Sequence, residues 1–102
     1  MSFERLDKRI INTLAVLFLS MILTACATSA PVQEMSNARQ SIRAAKEANA
    51  EKLAKILLSE AQKRLQSATQ ELEAGEYERA RALAVEATHL ALKARQLAVT
   101  QQ

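Results

Sequence analysis

AQKRLQSATQELEAGEYERARALAVEA, residues 61–87, decides the fold. Its first half places Ala61, Leu65, Ala68 and Leu72 at spacings of four, three and four, the period of a single helix face. Its second half resumes that period at Tyr77, Ala80, Ala84 and Ala87. Between the halves stands Gly75, the chain's one glycine. It follows Leu72-Glu73-Ala74, where a helix end calls for a left-handed residue that only glycine adopts without steric cost. The two faces are therefore expected to fold back on each other as an antiparallel hairpin. Glu76 and Glu78 then occupy the first turn of the returning helix, where carboxylates favour the positive end of the dipole, and Lys93 and Arg95 lie toward its far end.

Outward from this core the stripes continue. The descending one begins at Leu53 and Leu57, widened by Ile56 and Leu58, and the returning one runs on through Ala91, Ala94 and Ala98, with Leu83, Leu90 and Leu97 beside it at heptad spacing. Alanine methyls let two helix backbones come close, and leucines from the partner fill the remaining space. A third stripe, Met35, Ala38, Ile42 and Ala45, lies upstream. From Gln33 onward the chain is dominated by strong helix formers. The expected fold is all-α: a small bundle made of an antiparallel hairpin and a third, N-terminal helix, with helices over about 33–48, 50–74 and 76–100.

Asn49 is the natural breaker between the first two helices. One continuous helix over 33–74 would be about 63 Å long, against about 38 Å for the returning helix, and its upper half would have no partner. Either the chain bends near Asn49 and the first helix packs on the hairpin, or the extra turns meet a partner outside the monomer; the bend is favoured, because hiding Met35 and Ile42 from water is worth roughly 1.5–3 kcal/mol each.

The N-terminus carries a separate signal. Arg5, Lys8 and Arg9 form a basic segment, Leu14 to Ile22 an apolar one of secretory-signal length, and Leu23-Thr24-Ala25-Cys26 closes it with small residues before a lone cysteine. That ending resembles the lipobox of bacterial lipoproteins. The resemblance implies cleavage before Cys26, diacylglycerol on its thiol, and an acylated N-terminus. Two lipid signals already suffice for stable attachment, so the anchor is expected to be permanent, and the apolar run is short of the roughly 20 residues of a membrane span. Ala27 and Thr28 after the cysteine, in place of aspartate, imply by the same resemblance transfer to the periplasmic leaflet of the outer membrane. Residues 1–25 are thus read as a signal peptide, 26–32 (with Pro31) as a lipidated tether, and 33–102 as the helical domain.

Cleavage there removes 25 of 102 residues and leaves 77, enough for one small domain. Losing Arg5, Lys8, Arg9, Glu4 and Asp7 moves the formal charge from +3 to +2. Charges of both signs alternate along the helices without a basic patch, which argues against nucleic acid. With the only cysteine in the anchor, neither a disulfide nor a thiol nucleophile is available.

Ala61-x-x-x-Leu65-x-x-Ala68-x-x-x-Leu72-x-x-Gly75-Glu76-Tyr77-x-x-Ala80-Arg81-x-Leu83-Ala84-x-x-Ala87 resembles an alanine-rich family of small bacterial lipoproteins catalogued only as a domain of unknown function. The likeness covers nearly everything after Pro31. It implies a helical segment, found in other members ahead of OmpA-type domains, and brings no catalytic residues. At the first helix junction, where relatives tend to have glycine and proline, this chain has Asn49 and Lys55. Gly75-Glu76-Tyr77-x-x-Ala80 is also similar to the turn of a tetratricopeptide repeat, in which the aromatic packs beneath the turn and the alanine permits close crossing. A single hairpin forms no peptide groove.

Candidate chemistry is sparse. His89 has no second metal ligand at helical spacing and is read as a surface position. Tyr77 is expected to pack under the turn. Glu71, Glu73, Glu76 and Glu78 do not converge as a hard-cation site requires and are read as dipole and solubility residues. No phosphate loop or nucleophile–base pair is present. The expectation is a non-enzymatic outer-membrane lipoprotein without cofactor or metal, whose periplasmic helices meet an envelope protein. The alternative is a structural spacer that self-associates through an alanine zipper. Gln101-Gln102 in place of a terminal lysine predicts no covalent link to peptidoglycan.

Overall fold

In the computed structural model the backbone is described for residues 2–27 and 30–102, and side chains for 7–20 and 30–102. Five helices follow in order, with no strand among the described residues: α1 Ser2–Ala27, α2 Val32–Glu47, α3 Ala50–Leu53, α4 Lys55–Glu73 and α5 Tyr77–Thr100. α4 and α5 pair as an antiparallel hairpin, and α2 lies along α5 as well. Met35 of α2 clusters with Ala68 and Ala84, while Ile42 and Ala45 cluster with Ala91, Ala94 and Ala98. α2 therefore runs parallel to α5 and antiparallel to α4. The result is a small all-α hairpin bundle with α5 as its shared helix, since α2 and α4 touch each other far less than either touches α5.

The alanine stripe explains that centrality. Ala80, Ala84, Ala87, Ala91, Ala94 and Ala98 have no exposed surface at all. A face of methyl groups admits two neighbouring helices, where a face of leucines would hold them apart. Among the buried hydrophobic residues only Met35, Ile42 and Leu58 are larger, filling the space that the alanines leave.

The hairpin turn is a complete Schellman motif. Gly75 sits at φ 79°. Its N–H donates to the Leu72 carbonyl at 3.0 Å and the Glu76 N–H donates to the Glu71 carbonyl at 2.9 Å, satisfying carbonyls that the helix end leaves unpaired.

α2 ends at a second left-handed residue, Asn49, at φ 69°. Asparagine tolerates this region better than other residues with a Cβ, and the chain bends there onto the hairpin. The Gln102 side-chain amide donates to the Ala48 carbonyl at 2.7 Å, so the end of the chain caps the end of α2. The helix expected over 50–74 is broken at Ala54, which takes φ −145° and separates α3 from α4. The break shifts the buried seam by one position: Ala50, Ala54 and Leu58 are buried, and the expected Leu53 and Leu57 only half so.

α1 makes no packing contact with the other helices among the described residues. Leu14, Val16 and Phe18 are each more than half exposed. No helix of the described residues is long and apolar enough to cross a membrane.

Candidate functional site

The residues proposed for lipid attachment, Leu23, Thr24, Ala25 and Cys26, fall within the backbone of α1, and their side chains lie outside the described residues. Thr28, the second residue after the cysteine, is also outside them. The helix expected from residue 33 begins one residue earlier. Pro31 is fully buried, its carbonyl accepts the Met35 N–H at 3.1 Å, and α2 begins at Val32.

The start of α2 lies at the same end of the bundle as the Gly75 turn. There Arg81 of α5 donates through Nε to Glu34 of α2 at 3.1 Å and through Nη1 to Glu78 one turn earlier, joining the head of α2 to the head of α5. Hydrogen bonds to Glu78 and then Glu34 hold the guanidinium above its ordinary pKa. The contribution that this raised arginine makes is lost in strong alkali, as the guanidinium gives up its proton.

The hairpin residues separate in role. Gly75 makes the turn and Ala80 is fully buried, but Tyr77 is 42% exposed and does not pack beneath the turn. The reason is the reach of the neighbours. α2 starts level with Arg81 and Ala84, so nothing of it extends a further turn to cover Tyr77. The likeness to a tetratricopeptide turn stops at the backbone and the alanine.

The turn carboxylates are engaged separately. Glu71 lies 4.0 Å from Arg79 and Glu78 binds Arg81. Among the described residues no three His, Cys, Asp or Glu side chains come together as a metal site. His89 is exposed on α5. None of the described side-chain nitrogens and oxygens is buried without a partner.

α5 has a second face, entirely exposed, on which Val85, Leu92 and Val99 recur every seven residues and Ala82, His89 and Gln96 alternate with them. Its signal is in the sequence, as a second heptad offset from the first. Leu92, Arg95, Gln96 and Val99 line a shallow depression on it, together with Thr100.

No curated protein and no solved structure matches the chain. Residues 33–102 match the family described as Domain of unknown function (DUF4398), which spans α2 to the last residue, the whole of the packed bundle. The chain belongs to the DUF4398 family of domains of unknown function.

Proposed function

We propose that this chain is a non-enzymatic lipoprotein, anchored by acylated Cys26 in the periplasmic leaflet of the outer membrane, whose helical bundle serves as an interaction module in envelope organisation. The observation that carries the reading is Leu23-Thr24-Ala25-Cys26 at the end of a basic-then-apolar leader. The alanine-rich composition agrees with a helical binding module. So does the architecture: α1 stands apart from the bundle, so its removal leaves every helix–helix contact of α2 to α5 in place. The spacer alternative requires alanine faces that meet between chains, whereas these alanines are used up within one chain.

Cys26→Ser is the direct test. In the bacterial host the wild-type chain should be shortened, take up labelled palmitate and fractionate with the outer membrane. Cys26→Ser should stay unshortened and unlabelled. A Cys26→Ser protein processed and located like the wild type would overturn the anchor. Pull-down of the lipidated protein that recovers no envelope protein, and no second copy, would overturn the module.

A further inference from the structure

Acidic and basic residues alternate along the chain, but folding sorts those of α2. Val32, Ser36, Arg39, Arg43 and Lys46 recur at spacings of four, three, four and three, so they share one line down the helix. The line opens at Val32, 70% exposed beside the tether, and its last three members are exposed cations. None of the three has an ion-pair partner among the described residues. The two carboxylates of α2 lie off the line. Glu34 is turned to Arg81 of α5, and Glu47 stands about 100° round the helix from Lys46.

We infer that this line of α2 lies against the anionic headgroups of the lipid leaflet that holds the chain, an inference that rests on the Cys26 anchor proposed above. Charge selects an anion, and spacing selects a plane of them. Three cations strung over about 10 Å of helix do not converge on one phosphate, but each can meet a separate headgroup. The tether sets the reach. Five residues separate Cys26 from Val32, at most about 17 Å of extended chain, so α2 is the helix of the bundle held nearest the lipid. An upright bundle would meet the leaflet with its acidic end, because Glu73, Glu76 and Glu78 surround the Gly75 turn at the end where α2 starts. Laid along α2, it presents the cations and keeps Glu34 turned inward. Each cation near an anionic surface adds about fivefold in affinity, and three together roughly a hundredfold. That is enough to orient a chain already concentrated at the surface by its anchor.

The test is fluorescence quenching of the lipidated protein in vesicles. A fluorophore is attached at Gln40→Cys, beside the line, or at His89→Cys, on the outer face of α5, and the quencher is a nitroxide carried on lipid headgroups. The two positions lie at one level of the bundle, since Met35 clusters with Ala84 and Ile42 with Ala91. In phosphatidylcholine containing one-third phosphatidylglycerol, Gln40→Cys should be quenched several times more strongly than His89→Cys. The gap should close in pure phosphatidylcholine, and in about 1 M salt, where the Debye length is about 3 Å. It should also close in a chain carrying Arg39→Gln, Arg43→Gln and Lys46→Gln, whose helical melt should match that of the wild type. Equal quenching at both positions in the anionic vesicles would overturn the inference. So would a gap that survives salt or the loss of the three cations, the mark of a contact made by something other than charge. The mass of the chain is read on the same samples. An unshortened chain without acyl groups would overturn the anchor and the orientation with it, whereas a processed chain with equal quenching would overturn the orientation alone.

Discussion

Leu58→Ala probes the packing where periodicity and structure part. The spacing of apolar residues puts Leu57 in the seam of α4, whereas the folded chain buries Leu58 to 3% exposure, leaves Leu57 half-buried and opens Ile56 to 77%. Truncation removes three side-chain carbons. At about 0.8 kcal/mol each, the lost transfer free energy is roughly 2.4 kcal/mol. The cavity left beside Ala54, Ala61 and Ala91 brings the total to about 3 kcal/mol, within the usual range for a buried leucine. A bundle of this size holds only a few kcal/mol of net stability, and at roughly 4–8 °C per kcal/mol the melting temperature should fall by about 12–24 °C. Leu57→Ala should cost about half as much, and Ile56→Ala should stay within about 0.5 kcal/mol of wild type. The assay is thermal and urea unfolding of the mature chain carrying Cys26→Ser, followed by circular dichroism at 222 nm, with urea slopes compared among the three variants. A Leu57→Ala protein as destabilised as Leu58→Ala would refute the placement of the seam.

Other substitutions address the alanine face and the two left-handed residues. Ala91→Leu inserts three carbons where no surface is open and should destabilise by about 1–3 kcal/mol or more, read in the same melts. Gly75→Ala meets no atom within 4 Å, so its cost is backbone strain alone, about 1 kcal/mol, and Gly75→Asn should recover part of it. Asn49→Ala should likewise cost about 1 kcal/mol, while Asn49→Gly should stay within about 0.5 kcal/mol of wild type.

The alanine stripes and the Gly75 turn were legible because they depend on local rules: a 3.6-residue period on a helix, and a glycine where the backbone must turn left-handed. All six buried alanines of α5 and the four buried residues of α2 can be picked out by spacing alone. Three features depend on tertiary reach instead. The break at Ala54 has no glycine or proline to announce it, and it moves burial from Leu57 to Leu58. Tyr77 keeps the right phase for the core yet lies a turn beyond the start of α2. Pro31 reads as a tether residue but is buried. Contacts between residues far apart in the chain, such as Arg81 with Glu34 and Gln102 with Ala48, leave no periodic trace at all. The exposed outer face of α5 is present in the sequence as a second heptad, masked by the more numerous alanines.

The spine of α5 also fixes how this sequence is free to change over generations. A leucine in a core can drift to methionine or isoleucine at nearly constant volume. An alanine with no open surface on two sides has no such neighbour. Glycine, the one smaller option, sacrifices about 1 kcal/mol of helix propensity, and every other replacement must push a helix away. Compensating growth on one flank would have to be matched by shrinkage on both α2 and α4. Positions 80, 84, 87, 91, 94 and 98 should therefore be the slowest-evolving part of the bundle, and surviving exchanges there should be to glycine or serine. The three larger core residues are where the lineage can vary around a fixed axle, Ile42 and Leu58 within one cluster and Met35 in another.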